Sequence, residues 1–462
     1  MQTDAKSIFD WTPLTPSHLF YQTGGRRPFI ARAEGVYIWD KEGRRFLDGS
    51  SGAMVSNIGH GNKRVLAAMR EQMSATTFGY RLHFENEPAE RLAAALSKLC
   101  PPGLDRVFFA SGGSEAVESC IKLARQYAIA KGEPKRTEVI SRFPSYHGST
   151  FGALAVTGYG PLNDPFAPLV RDMPKIPAPR SYLDRDNLSD DARGLRYADM
   201  LRDKIEALGP ENVLAFIMEP VGGASTGALV APDSYYQRIR DICDEYGVLL
   251  IYDEVMTGVG RTGTFLAAEH WNQSPDIVAL SKGLGAGYVP LGAMIARRDI
   301  VDAVVANGGF MHGYTYAGNP LACAAGLAVI REIYEQDLMT NTARIGALLK
   351  SRLEGLMAHF PFIGDVRGKG LLLAFELVSD RETMTPLPKS ASAFIKLVEY
   401  AYEEQLIIYS RRTRGGYEGD HFLVCPPMVA DESHVEEITT KLIKALNRLA
   451  RDLNLPVNGQ AR

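Results

Sequence analysis

The chain has 462 residues, too many for one small core, so two domains or one large domain with an appendage are expected. Hydrophobic residues make up 45% and charged residues 23%, the balance of an ordinary soluble enzyme. A formal net charge of -3 argues against nucleic acid or an anionic membrane surface as a partner.

The first residues, MQTDAKSIFDWTPLTPSH, have no apolar core and do not read as a signal peptide. Up to about Arg32 the chain is rich in Pro, Thr and Gly and reads as an irregular arm. Val36 and Ile38 lie across a Lys-Glu-Gly turn from Phe46 and Leu47, which predicts a β-hairpin. Helical spacing predicts helices over 63–73 and 87–99. A strand is predicted over 107–110, then a tight polar loop over 111–114, then a helix from Glu115 with Val117, Ile121 and Ala124 inward. Strand, Gly-Ser loop and helix N-terminus together make an anion site, because backbone N–H groups and the helix dipole both favour a phosphate. Ser114 as an ordinary N-cap is the alternative. A short strand at Val139 and Ile140 puts Tyr146, His147 and Gly148 just beyond its end. An aromatic there either stacks on a flat cofactor ring or is structural.

Residues 161–198, rich in Pro, Asp and Arg, predict a long surface excursion, and 199–208 a short helix. A strand over 213–218 runs into Glu219-Pro220-Val221-Gly222-Gly223, and a helix over 234–246 follows. Residues 248–252, VLLIY, are apolar on both faces, as buried parallel strands are. Asp253 and Glu254 stand at that strand's end, where open α/β sheets hold their ligands. Buried carboxylates without partners are costly, so a cation is expected beside at least one, unless the strand end is solvated.

The stretch 277–290, IVALSKGLGAGYVP, reads as a short buried strand, then Ser281 and Lys282, then glycines at 283, 285 and 287. Burial disfavours an ammonium and makes a lysine amine a better nucleophile. Lys282 is therefore the candidate for a Schiff base with an aldehyde cofactor, against a lysine that simply points into solvent. Strands alternating with helices over 63–330 imply a mostly parallel sheet with helices on both faces. Beyond 331 the pattern becomes a helix over 333–353, a hairpin in VRGKGLLLAFELVSD, and helices over 391–404 and 432–449. The expected fold is α/β: a large domain over 63–330, and a smaller α+β domain built from segments 1–62 and 331–462. Five scattered cysteines show no paired spacing, and apolar runs such as LACAAGLAVI are too short to span a bilayer. A reducing, cytoplasmic setting is expected.

Gly258, Gly260 and Gly263 spell G-x-G-x-x-G after a strand, which makes a nicotinamide dehydrogenase a competing reading. Five residues separate strand from glycines, the unit sits mid-chain, and no acidic residue follows at the ribose-contact position. The four parts at strand ends suit pyridoxal phosphate better. The anion loop takes its phosphate, Tyr146 its ring, Asp253 its pyridinium nitrogen and Lys282 its aldehyde.

In SGGSEAVE (111–118), YHGST (146–150), EPV (219–221), YDEVMTGVGRTG (252–263), ALSKGLGAGYVPLGA (279–293), HGYTYAGNPLACAA (312–325) and VRGKGL (366–371), the chain resembles the class III aminotransferases. These are the ω-transaminase and 4-aminobutyrate transaminase group of fold type I pyridoxal-phosphate enzymes, and the likeness runs from about Glu34 to Leu449. The resemblance implies that Lys282 is the aldimine lysine and proton-moving base, and Asp253 the pyridinium partner. Val255 and Tyr146 would pack on the two ring faces, with His147 beside the cofactor. Gly113 and Ser114 would hold the phosphate, and Glu219 would be the buried acid of the polar network. Thr315 would reach the phosphate of the neighbouring subunit, so a homodimer with active sites at its interface is implied. The family reaction is ping-pong, from an amine donor to a keto-acid acceptor, often pyruvate.

The departures concern substrate. Where related branches carry EPVQGEGG with a gating glutamate, this chain has EPVGGAST, with Ala224 in that place. Met54 stands where many ω-transaminases have a Trp. In the long segment RRTRGGYEGDHFLVCPP, Arg414 is the candidate carboxylate-binding arginine and Arg412 the alternative, unless the run is a solvated basic loop. The reading is a transaminase using an amine or ω-amino acid, with pyruvate favoured. A racemase or aminomutase of the same family is the alternative, and a non-catalytic relative sits poorly with an intact Lys282 and Asp253.

Overall fold

The computed structural model describes residues 18–21 and 27–459; the rest of the expected irregular arm, 1–17 and 22–26, lies outside the described residues. Three short strands open the fold, β1 (Ile30–Glu34), β2 (Tyr37–Asp40) and β3 (Arg45–Asp48). Ile38 pairs antiparallel with Phe46, so the expected hairpin is present.

Seven strands form the large sheet: β4 (Leu104–Ala110), β5 (Glu138–Phe143), β6 (Lys175–Pro177), β7 (Val213–Met218), β8 (Leu249–Asp253), β9 (Ile277–Leu280) and β10 (Gly292–Arg297). Their spatial order is β4-β10-β9-β8-β7-β5-β6. Neighbours from β6 to β9 pair in parallel, while β10 runs against both β4 and β9. Side chains alternate across the sheet. In β7, Phe216 and Met218 enter one core, and Ala215 and Ile217 enter the other. Helices Gly113–Ala130 and Arg298–Ala306 cover the second face through Val117, Leu123, Ile300 and Val304. Helices Glu87–Leu99, Asp190–Leu208, Ser234–Tyr246 and Pro320–Glu335 cover the first through Leu92, Leu201, Ile239 and Val329. Burying each such side chain contributes about 1.5–3 kcal/mol, which is why strands apolar on both faces are stable only between two helical layers.

Side-chain caps set several helix starts. Asn62 accepts from the amides of Arg64 and Val65, Asn86 from Ala89, and Asn319 from Ala322. Ser189 accepts from the amide of Ala192. That cap starts the helix nine residues before the expected 199, and the Pro-rich excursion also contributes β6. The helix expected over 333–353 is two helices, Pro320–Glu335 and Leu338–His359, broken where Asp337 turns left-handed at φ +49°.

The rest of the chain builds a second core around β11 (Ile363–Lys369), β12 (Leu372–Asp380), β13 (Thr385–Pro386), β14 (Leu406–Ile407), β15 (Tyr409–Arg414) and β16 (Glu418–Val424). The order is β11-β12-β16-β15, with β13 on β12. β11 and β12 are the expected hairpin. β14 instead pairs in parallel with β3, and Val36 and Leu47 join this second core. The β15–β16 hairpin occupies the segment of the candidate arginines, for which a solvated basic loop was the alternative. Among the described residues, no helix is long and apolar enough to cross a membrane.

Candidate active site

The carboxyl ends of β5, β7, β8 and β9 converge with the start of helix Gly113–Ala130 on a cavity of about 150 Å³. Lys282, two residues beyond β9, lines it and holds a left-handed backbone at φ +42°. Such strain persists where surrounding structure fixes it, and it marks functional positions. Burial lowers the Lys282 pKa to about 8, against the pull of Asp253 and Glu219. Beside it, the Ser281 hydroxyl donates to the Leu291 carbonyl at 2.8 Å.

Asp253, the last residue of β8, is held twice. Its Oδ2 is 2.8 Å from His147 Nδ1, and its Oδ1 accepts from the Val255 amide at 3.0 Å. A carboxylate only accepts, so His147 Nδ1 is the donor. Asp253 thus has an imidazole at hydrogen-bond distance, and the expected cation is Lys282, which feels the charge of Asp253. Glu254 turns the other way and accepts from the amides of Ala267 and Ala268 and from the Thr257 hydroxyl; burial raises its pKa to about 7.

Glu219, just past β7, is buried, and that burial raises its pKa. Its Oε1 accepts from the Gly223 amide at 2.9 Å and its Oε2 from the Tyr146 amide at 3.4 Å. Buried Arg142, which sequence reasoning missed, donates to the Glu219 carbonyl. It lies inside β5, where an arginine carries no sequence signal of function. Met256 and Thr257 were also missed as lining residues, although both come within four residues of Asp253 in the chain.

Gly113, Ser114, Tyr146, His147 and Val255 all line the cavity. The N-cap of helix Gly113–Ala130 is Gly112 and no side chain caps it, so the alternative of Ser114 as an ordinary cap does not hold. Ser114 Oγ instead accepts from the Ser149 amide at 3.0 Å. A Cβ on Gly113 would come within 2.9 Å of Val255 Cγ1, and one on Gly148 within 2.7 Å of Ser114 Oγ.

Other expected residues stand apart. Thr315 is exposed and does not line this chain's cavity. Met54 is fully buried behind the cavity, in the cluster that holds Val221 and Met256. Arg412 and Arg414 lie on one face of β15. The Arg412 guanidinium sits 4.6 Å from the Phe394 ring centroid, and Arg414 donates to the Met384 carbonyl at 2.6 Å. Strand alternation turns both away from the face of Tyr409, which packs in the Met54 cluster. Arg411 shares Tyr409's face, is exposed, and stacks 4.8 Å from that ring. The glycines at 258–263 form a buried turn ahead of the short helix Ala267–Trp271, so no helix N-terminus follows β8 as a dinucleotide site needs.

The residues present fit pyridoxal phosphate. Uncapped helix amides beside side-chain-free Gly113 suit a phosphate. A lysine with lowered pKa faces the cavity, and a carboxylate fixed by histidine suits a ring nitrogen. Among the described residues, His147 Nε2 is buried with no hydrogen-bond partner.

Comparison with known proteins agrees. The chain is 34% identical to the putrescine–pyruvate aminotransferase of Pseudomonas aeruginosa, over 95% of this chain and 94% of that protein. It superposes on an (S)-enantioselective omega-transaminase from Thermomicrobium roseum with a TM-score of 0.89 and 36% identity, covering 94% of this chain and 96% of the other. An amine transaminase from an uncultivated Pseudomonas species, solved in its pyridoxal-phosphate-bound form, gives a TM-score of 0.86 and 35% identity over 94% and 99%. Residues 21–446 match the family described as aminotransferase class-III, so the chain belongs to the pyridoxal-phosphate-dependent class III aminotransferases.

Proposed function

We propose that this aminotransferase moves an amino group from an amine or ω-amino acid to pyruvate in two alternating half-reactions. Lys282 carries the reading: its amine, with a pKa near 8, faces the cavity close enough to Asp253 and Glu219 to feel their charge. When bound, the cofactor supplies an aldehyde that takes the amino group and a ring that accepts electrons from the breaking Cα–H bond. Lys282 Nζ would hold the cofactor through its aldehyde until the donor amine displaces it, and the amine so freed would take the Cα proton and return it. Asp253, oriented by His147, would face the ring nitrogen with its carboxylate. Tyr146 and Val255 would bracket the ring. Gly113 and Ser114 would hold the phosphate, joined by Thr315 from a second copy of the chain.

A homodimer fits the exposed apolar surface around Thr315. Phe78 and Tyr316 meet edge to face at 5.6 Å, and Leu82, Phe84 and Met311 are exposed as well. Residues 63–330 would form the cofactor domain, and 1–62 with 331–462 the smaller one. Ala224 at the gate position favours pyruvate over 2-oxoglutarate, in keeping with the pyruvate acceptor named for the Pseudomonas aeruginosa relative. The strand register supports Arg411 over Arg412 and Arg414 for a substrate carboxylate, since it shares the face of Tyr409. Five unpaired, buried cysteines suit a cytoplasmic setting.

The test is visible absorbance of the purified protein. A yellow band that bleaches with 1-phenylethylamine or putrescine and returns with pyruvate is expected. A band that no amine bleaches, and that returns only racemised substrate, would replace the transaminase reading with an isomerase.

A further inference from the structure

We infer that His421 is a positioning residue that fixes the loop 221–228 on the substrate side of the cavity and so sets how tightly an amine donor is held. The inference rests on the reading above, in which this cavity receives the amine.

The loop begins at the cavity wall with Val221 and passes through Ala224. His421 lies on β16 and is fully buried. Its Nε2 is 2.9 Å from the Ala224 carbonyl oxygen, and its Nδ1 is 3.0 Å from Thr413 Oγ1 on β15. A carbonyl can only accept, so Nε2 carries the proton and Nδ1 receives the Thr413 hydroxyl. One tautomer is thereby selected. Burial and the nearby Arg367 guanidinium push the His421 pKa down to about 3, so the ring stays neutral and keeps its acceptor nitrogen.

The loop turns on its own backbone, where the amides of Thr226, Gly227 and Ala228 all point to the Gly223 carbonyl. Its side chains add little: Ser225 Oγ and Thr226 Oγ1 are buried with no hydrogen-bond partner among the described residues. Side chains from beyond the loop fix that turn in place at three further points. Glu219 takes the Gly223 amide at 2.9 Å, His421 the Ala224 carbonyl, and Arg367 donates to the Thr226 carbonyl at 2.9 Å. The Arg367 grip is itself rigid, since Arg367 pairs with Glu376 at 2.8 Å and Tyr182 donates to the same carboxylate at 2.9 Å. Gly227 lets the backbone lie flat on the imidazole: a Cβ there would stand 2.7 Å from His421 Cγ. With alanine at position 224, the loop offers no long side chain of its own to brace the cavity mouth, and the histidine beneath it supplies the brace.

The experiment compares holoenzymes carrying His421→Phe, His421→Gln and Thr413→Val with the wild type. Half-reaction rates with 1-phenylethylamine and with a small amine give KM and kcat for each. His421→Phe removes the donor and should raise KM for the bulky donor about fivefold to tenfold, the loss of one buried hydrogen bond, with kcat within about threefold and the cofactor band unmoved. His421→Gln keeps a donor and should restore most of the wild-type KM. Thr413→Val, nearly isosteric, frees the tautomer and should shift KM in the same direction by a smaller factor. Wild-type KM values in both His421→Phe and Thr413→Val would overturn the inference. So would a folding or cofactor defect in His421→Phe accompanied by an unchanged KM in Thr413→Val. A wild-type protein that no amine bleaches would instead overturn the functional reading, and the inference with it.

Discussion

At Lys282, burial works against the ammonium while Asp253 and Glu219 work for it, and burial prevails, leaving the pKa at about 8. The neutral, nucleophilic amine therefore gains population as pH rises through about 8, well before an exposed lysine titrates. Uptake of pyridoxal phosphate by the cofactor-free protein should accelerate up to about pH 8.5 and then level off, followed as growth of the yellow band; a rate still climbing at pH 10 would mean an ordinary lysine. Lys282→Ala should end turnover with an unchanged far-UV circular dichroism spectrum. Asp253→Asn keeps the size of the side chain and loses its charge. Its kcat should fall on the order of 100-fold, as when an electrostatic contact to a reacting centre is removed, while Tm moves only a few degrees. A kcat near wild type would show that the ring nitrogen's partner lies elsewhere.

Elements explain why some of these side chains could be read from sequence and others could not. The strands β7 and β9 have the bounds their apolar runs gave, because a strand buried on both faces leaves no polar position inside it. Lys282, Asp253 and Glu219 stand out for the same reason, as charges at the ends of apolar runs. The His147–Asp253 pair joins residues 106 apart, and no local pattern encodes it. β10 was missed because GAMIAR follows a glycine-rich turn and reads as its continuation. On β15 the apolar alternation that marks a strand is replaced by arginines, so register, and with it the choice among Arg411, Arg412 and Arg414, emerges only from pairing with β16. That register makes a sharp expectation. Arg411→Ala should raise KM for pyruvate about 10-fold, as for a lost charge-assisted hydrogen bond, whereas Arg412→Ala should stay within twofold. Equal effects in steady-state kinetics would reject the assignment. At the helix start, Gly113→Ala would press a methyl on Val255 and should weaken cofactor retention at least several-fold, measured by equilibrium dialysis.

For the whole molecule, the apolar surface around Thr315 carries the main expectation. Met311 is 83% exposed, Phe84 74% and Leu82 73%, large apolar side chains left to water in the segments on either side of Thr315's loop. Sedimentation should find a particle of twice the 50.7 kDa chain mass. Phe84→Asp should shift it toward the monomer and release cofactor together, and a stable, fully loaded monomer would refute a shared site. The sheet order has a further consequence, for synthesis of the chain. β4, which leads into Gly113 and Ser114, touches the rest of the sheet only through β10, which ends at Arg297. β4 therefore takes its place in the sheet only after nearly two-thirds of the polypeptide has been made, although helix Gly113–Ala130 can already lie on β7, β8 and β9. Truncated nascent chains that stop short of Gly292 leave β4 without its neighbour, and after removal of free pyridoxal phosphate they should retain less of it than chains that extend past Arg297.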